Sequence, residues 1–524
     1  MSNSRFEIPH YQREYSWLDD EVSDFWLDLK NALGEESYFL GLVILTEEGA
    51  TKQVVDGQQR ILTLTLLAAA LYHEAIARGR RALAERIQAD FLRSIDYETD
   101  ETNPRVILSD KSDNETLQKI LADGVGSSPR INEEESLSAR MQRAFEYLRT
   151  NLKNDLSQDP FKRLGLWTDF ITNKLYFAVF THPDPASAYR VFEVINTRGL
   201  ELTTADLLKN YILSQTPKSQ REDRYAEWQT MARQFSATGT NNFVQFIRHA
   251  VTVEAGHILP KDLYDFLAQR PTHSTRKAPS PVQLMQTLEK HLPLYMQMID
   301  PSLPGPACSE TLKIFASLNS LGVISVRPIL LAIAATDNSI DGMQYILKLV
   351  VRRIVVGNLG TGNVERKFGE AARLVTEEKN WKAAEQELTE LNPSSKDFSD
   401  QIHRRSFNKA VMSFLRHSIV ELTTTPIMQG TLHYIFPRQG PLWERFSEED
   451  ASFWGSTLGN TFLSTLDKRP QAAVDWPGTR ETLLKHGITG ELTKRIEEYA
   501  FWDSESIEDM GKILSKSATR VWYD

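Results

Sequence analysis

The chain has 524 residues, too many for one hydrophobic core, so two to four structural units are expected. A hydrophobic fraction of 41% with 25% charged residues is ordinary for a globular protein. A net charge of −10 argues against a protein that simply coats nucleic acid, so any contact with DNA has to come from local patches. A single cysteine, Cys308, excludes an intramolecular disulfide and a cysteine-rich zinc site, and fits a cytosolic setting. No run approaches the ~18 consecutive apolar residues that mark a membrane span. The opening Met-Ser-Asn-Ser-Arg-Phe-Glu lacks the charged start and apolar run of a secretory signal.

In chain order, Phe39–Leu45 is a short apolar run and Gln53–Val55 a second, together predicting a hairpin or adjacent strands. From Arg60 to about Ser94 the pattern predicts a helix. Its opening is so apolar (Ile61, Leu62, Leu64, Leu66, Leu67, Leu71) that it must be buried against the sheet. Asp96–Arg105 and Gly124–Glu135 read as loops, with helices around Leu137–Lys153 and Tyr189–Leu213. Thr272–Pro281 clusters Lys, Ser, Thr and Pro without periodicity and predicts an exposed linker. A long helical region follows, from Val282 to about Ser418. The last hundred or so residues, carrying Trp443, Trp454, Trp476, Trp502 and Trp522, predict a separate unit. The expected segments are 1–95, 96–271, 282–418 and 419–524.

Three motifs are candidates for chemistry, although a purely structural helix–turn–helix explains the third locally. In Gln53-Val54-Val55-Asp56-Gly57-Gln58-Gln59-Arg60 a strand turns tightly at Gly57 straight into a helix. Backbone N–H groups at a helix start suit phosphate, Arg60 can grip two phosphate oxygens, and Asp56 can hold a metal or orient water. By spacing alone, Asp56-Gly57 equally well only makes the turn and caps the helix. The stretch Phe6–Trp17 gathers aromatic side chains and His10 around Gln12 and Arg13, suited either to stacking a base beside a phosphate or to core packing. Phe192–Leu202, followed by Thr203 to Asn210, predicts a helix ending at Asn196, a turn through Gly199, and a restart capped by Thr203 and Asp206. Asn196 and Arg198 then lie in the loop, and Asp206, Lys209 and Asn210 share a helix face. The glycine-rich Gly357–Gly362 lacks the Gly-Lys-Ser/Thr ending of a phosphate loop and reads as a plain loop. Arg352-Arg353 and His403-Arg404-Arg405 read as solvated surface.

Taken in order, Ile8-Pro9-x-Tyr11-Gln12-Arg13-x-Tyr15-Ser16-Trp17, Tyr38-Phe39-Leu40-Gly41 and Asp56-Gly57-Gln58-Gln59-Arg60 resemble the N-terminal domain of GmrSD-type modification-dependent restriction enzymes. Asn196-x-Arg198-Gly199 and Asp206-Leu207-x-Lys209-Asn210 match that domain's later signature. Relatives carry a longer lead-in before the Ile-Pro pair, so an edge element is expected to be missing or the start misassigned. The resemblance implies a mainly α protein with a small N-terminal α/β domain similar to the ParB and sulfiredoxin group. It implies a nucleoside triphosphate site at Asp56, Gly57, Gln58, Gln59 and Arg60, with Gln12, Arg13, Asn196 and Arg198 around it. DNA, modified in some relatives, is the implied partner, with magnesium or manganese as cofactor.

The tail, Leu432-His433-Tyr434-Ile435-Phe436-Pro437 and then Leu458-Gly459-Asn460, resembles the HNH nuclease of GmrSD-type partners and implies an α+β HNH-like domain. Direct alignment puts Tyr434 where the base histidine belongs, and His433 serves only after a one-residue shift. His433 and Asn460 are the expected catalytic residues, His433 the expected metal ligand, with Asp467, Asp475 and His486 as further candidates. The implied function is an NTP-hydrolysing restriction factor whose turnover controls the nuclease. The alternative is a nucleotide-dependent switch whose inactive C-terminal scaffold recruits a defence partner.

Overall fold

The computed structural model describes residues 5–9, 15–48, 51–96, 99–124, 136–183, 188, 191, 203–235, 240–269, 276–357, 362–437, 442–468, 475–488 and 495–524. The chain is mainly helical, with a small mixed sheet near its N-terminus. It divides into two compact units, Met1–Thr230 and Met231–Asp524, a coarser partition than the four segments expected.

Unit 1 begins with strand β1 (Arg5–Ile8), then helix α1 (Asp19–Ala32), β2 (Tyr38–Glu48), β3 (Thr51–Asp56) and helix α2 (Gln58–Ala77). Helix α1 opens on Asp19, Asp20 and Glu21, acidic side chains that suit the positive end of a helix, and Glu21 accepts the Leu18 N–H at 2.8 Å. Helix α3 (Arg81–Ile87), the short strands β4 (Arg93–Ile95), β5 (Thr102–Pro104) and β6 (Val106–Leu108), and helices α4 (Lys111–Asp123), α5 (Leu137–Asp155) and α6 (Pro160–Asp169) lead to β7 (Leu175–His182).

The main sheet runs β6-β1-β3-β2-β7, and β4 pairs with β5. Strands β2 and β3 form the predicted antiparallel hairpin, Glu48 opposite Thr51. Strand β1 is an inner strand, parallel to both β3 and β6. The helix expected from Arg60 to Ser94 is instead two, broken at Arg78–Arg80, and its tail is a wide turn over Gln88–Leu92. Part of the expected Asp96–Arg105 loop is the β4–β5 pair.

Alternation along β3 sends Val54 to one side and Val55 to the other. On the first side α2 lies in the unit's large core, Leu66–Leu71 being fully buried. By length and composition α2 passes for a membrane-crossing helix, although no unbroken apolar run of that length occurs; most of its span is buried within the unit, as a core helix would be. On the second side Val55 and Ile44 meet Ala188 and Val191.

Unit 2 is a stack of helices, among them Thr240–Ala255, Pro281–Ile299, Ser339–Val356, Lys409–Glu421 and Ser504–Tyr523. Its one described strand pair joins β8 (Thr431–Tyr434) antiparallel to β9 (Thr461–Ser464), with the helix Trp476–His486 next in sequence. Of the expected surface arginines, Arg404 is exposed, but the other three turn out to be struts. Arg352 is buried and donates Nε to the Trp522 carbonyl at 2.8 Å, while Arg353 is buried and donates to the Leu391 carbonyl at 2.7 Å. Arg405 donates to the Val355 carbonyl at 2.5 Å, closing the end of the helix Ser339–Val356. Carbonyls near a helix C-terminus lack N–H donors within the helix, and a guanidinium there supplies them.

Candidate functional site

The Asp56–Arg60 turn is built by a conformation only glycine adopts cheaply. Gly57 has φ +88° and a Cβ there would lie 2.9 Å from the Val43 side chain, so no other residue fits without strain. Its carbonyl accepts the Ile61 N–H at 3.0 Å, the first bond of α2. The opening turn of such a helix carries the partial positive charge of N–H groups that have no acceptor within the helix.

The motif straddles this turn. Arg60 reaches back over β2, where Gly41 has φ +122° and a Cβ would collide with the Arg60 guanidinium. The guanidinium is held loosely, 3.5 Å from the Leu40 carbonyl and 3.9 Å from the Asp56 carboxylate. Both side chains remain partly exposed, 29% for Arg60 and 21% for Asp56. Burial pushes the Asp56 carboxyl above the usual carboxylate range, against the pull of the Gly57 N–H and of Arg60.

Gln58 and Gln59 look the other way, into a cavity of about 30 Å³ shared with Pro9, Tyr15, Ser109 and Asp110. That volume admits water but is far below a nucleotide pocket of ~300 Å³ or more. Gln59 accepts the Ser16 N–H at 3.0 Å, and the Tyr15 hydroxyl lies 2.9 Å from Thr63. Both described flanks of the Ile8–Trp17 motif are thus anchored beside the start of α2. Gln12 and Arg13 lie outside the described residues, as do Asn196 and Arg198. Val191, the last described residue before Asn196, packs against the small cluster of Ile44, Val55 and Ala188 that includes the residue preceding Asp56. Downstream, the Thr203 hydroxyl accepts the Asp206 N–H at 3.2 Å as the predicted cap, and Lys209 lies 3.6 Å from Asp206.

Sequence reasoning missed the neighbours contributed by α4 and α5. Asp110 caps α4 by accepting the Asp113 N–H at 2.9 Å, and Arg140 donates to the Tyr15 carbonyl at 3.3 Å. The Ser-Asp pair ahead of a helical pattern was the available signal for the cap. Nothing in spacing could have found Arg140, which is distant in sequence from Tyr15.

The C-terminal candidates behave differently. Asn460 is fully buried and saturated. Its Oδ1 accepts the Phe436 N–H at 2.8 Å and the Trp502 indole N–H at 3.1 Å. Its Nδ2 donates to the Phe436 and Gly455 carbonyls at 2.9 Å each. An amide has two acceptor and two donor positions, so none is left for a metal or a phosphate, and the expected catalytic part of Asn460 gives way to a bracing one.

His433 donates Nε2–H to the Leu466 carbonyl at 2.8 Å and stacks on Phe462, which leaves Nδ1 as the acceptor or ligand nitrogen. Among the described residues no group of three His, Cys, Asp or Glu side chains stands close enough to hold a metal ion. Asp475 caps the helix Trp476–His486 through the Gly478 N–H at 2.9 Å, a structural use of that candidate.

Residues 1–213 match the family model described as the GmrSD restriction endonuclease, N-terminal domain, which is less than half of the chain. No curated protein matches the chain.

Proposed function

From the premise that residues 1–213 are a GmrSD-type N-terminal domain, whose restriction endonuclease family implies DNA as the partner, we propose that the chain is a restriction factor against modified DNA that binds and hydrolyses a nucleoside triphosphate at the Asp56–Arg60 turn. The observation that carries this reading is the loose hold on Arg60. The buried Arg352 donates to the Trp522 carbonyl at 2.8 Å and to the Asn392 side chain at 3.1 Å, whereas Arg60, among the described residues, meets a carbonyl at 3.5 Å and a carboxylate at 3.9 Å. A phosphate offers it the short, charge-assisted contacts it lacks.

In this scheme Arg60 and the start of α2 offset phosphate charge, and Gln59 fixes the turn from its other side through the Ser16 N–H. Asp56, raised by burial, is poised to orient the attacking water and take up its proton. A magnesium or manganese ion bound with the phosphates would neutralise charge between their oxygens, and Asp56 is the carboxylate at the turn suited to hold it. Magnesium needs only one or two protein carboxylates when phosphate is present, so this fits the donor set at the turn.

A second reading keeps the nucleotide switch but makes the C-terminal region a scaffold for a defence partner. The saturated Asn460 and the absence of a ligand trio among the described residues favour it. The orienting hydrogen bond on His433 favours an HNH-like nuclease, since a base or ligating histidine needs that second-nitrogen anchor.

Phosphate release from each of the four NTPs, with and without modified DNA, tests the proposal in wild type, Asp56→Ala and Arg60→Ala. Turnover in wild type that both substitutions abolish supports the site. Turnover that survives Asp56→Ala places the chemistry elsewhere. Nicking of plasmid DNA with magnesium or manganese, lost in His433→Ala while NTP turnover persists, separates nuclease from scaffold.

A further inference from the structure

A second polar site lies in unit 2, far along the sequence from the Asp56 turn. Between the helices Thr240–Ala255 and Pro281–Ile299 runs a cleft of about 540 Å³, walled on one side by Arg276–Pro279. Its polar lining is Arg276, Lys277, Gln283, Gln286, Thr287 and Lys290, with Glu254 the one acidic side chain.

The cations divide into two kinds. Arg276 is engaged: it pairs with Glu370 at 2.7 Å and also donates to the Ala255 carbonyl, fixing the wall of the cleft. Nearby, Arg248 has Glu365 at 2.8 Å and Arg373 has Glu370 at 3.4 Å. Lys277 and Lys290 line the cleft exposed and, among the described residues, neither has a carboxylate within ion-pair distance. Lys277 and Lys290 therefore bring two uncompensated ammonium groups to one cleft in a chain of net charge −10.

The spacing is ordered as well. Gln283, Gln286, Thr287 and Lys290 stand at i, i+3, i+4 and i+7 and therefore occupy one face of their helix. Seven residues of helix span ~10 Å, the axial length of about three phosphates on one DNA strand. Amides and a hydroxyl between ammonium ends give donors along the row, the composition that contacts sugar–phosphate rather than base edges.

We propose that this cleft seats the sugar–phosphate backbone of DNA, with Lys277 and Lys290 neutralising phosphates and Gln283, Gln286 and Thr287 donating between them. The inference rests on DNA being the partner of this chain and not on nucleotide turnover. It assigns unit 2 a sequence-independent grip, and accounts for how an acidic protein can hold a polyanion without a basic face.

The test uses the full chain and a fluorescein-labelled duplex oligonucleotide, with binding followed by anisotropy across a salt series. Lys277→Glu/Lys290→Glu is compared with wild type and with Lys382→Glu/Lys396→Glu, exposed lysines elsewhere in unit 2 that impose the same change in net charge. The proposal expects the cleft variant to lose at least tenfold in affinity. The slope of log K against log salt should shrink by about 1.8, the value for two lost phosphate contacts. NTP turnover without DNA and the unfolding midpoint should stay at wild-type values. Equal losses in the two variants mean a bulk charge effect and overturn the assignment. Wild-type affinity and slope in the cleft variant overturn it too, while leaving DNA as the partner. Failure of wild-type protein to bind any duplex removes the cleft assignment and the DNA reading together.

Discussion

The Asp56–Arg60 turn and the β8–β9 strand pair are both sequence signatures rich in polar side chains, yet they spend their hydrogen bonds in opposite ways. Beside the strand pair Asn460 closes all four of its bonding positions at 2.8–3.1 Å. Around the turn the two charged side chains meet at 3.9 Å, each still open to solvent. A polar residue that holds a fold satisfies itself internally, because each buried group left unsatisfied costs ~1–3 kcal/mol. One kept for a ligand cannot do so without forfeiting the ligand. The contrast therefore gives the first residue to architecture and leaves the second pair open to the proposed chemistry, and it can be broken.

The largest expected effect is on the bracing side. Asn460→Ala strands two backbone carbonyls, an N–H and an indole N–H in the interior, so unit 2 should lose on the order of 4 kcal/mol, read by urea unfolding. Were the loss below 1 kcal/mol, the distinction between the two regions would fail. Acid should act next. Burial and Lys290 push the His291 pKa down to about 4. A depressed histidine lends stability in full above its unfolded pKa of about 6.5 and loses it as pH falls towards 4. That amounts to ~3 kcal/mol at the low end, and His291→Phe should flatten the profile.

On the chemical side, Arg60→Ala should lower kcat/KM for NTP hydrolysis about a hundredfold while barely moving the unfolding midpoint, since its bonds in the free protein are weak. A fall in stability matching that of Asn460→Ala would make Arg60 a strut after all. The smallest effect belongs to Asp56→Asn. With a raised pKa, Asp56 favours the fold below the unfolded carboxylate range and costs stability once pH rises through its folded value. At neutral pH the neutral amide should then raise the unfolding midpoint slightly while turnover falls. A lowered midpoint would show that the ionised carboxylate stabilises the turn.

Much of unit 1 was legible because its signals are local. The apolar runs in β2 and β3, the glycine between β3 and α2, and the Thr203 cap each depend on residues close in sequence. Strands β1 and β6 escaped notice because a four-residue and a three-residue strand, Arg5–Ile8 and Val106–Leu108, have too little length to show alternation. The placement of Tyr15 beside Thr63 and of Arg140 beside Tyr15 is tertiary, and no pattern announces it. Arg352 and Arg353 misled for a related reason: basic pairs are ordinarily solvated, and only the fold reveals that carbonyls wait for them inside. The candidate site was legible as a turn with donors. That its two halves face opposite ways, Arg60 over β2 and Gln59 towards Tyr15, needed the sheet.

The Arg352–Trp522 contact also has a history within each molecule. The two residues stand 170 apart in sequence, so a ribosome adding ~5–20 residues each second completes the acceptor roughly 10–30 s after the donor. Throughout that interval the guanidinium lacks the Trp522 carbonyl and, once Asn392 is made, has that side-chain oxygen to meet, while the helix Ser339–Val356 still awaits its packing on Ser504–Tyr523. Unit 2 consequently cannot close this contact until Trp522 is made, whereas the contacts within unit 1 need no residue beyond Thr230.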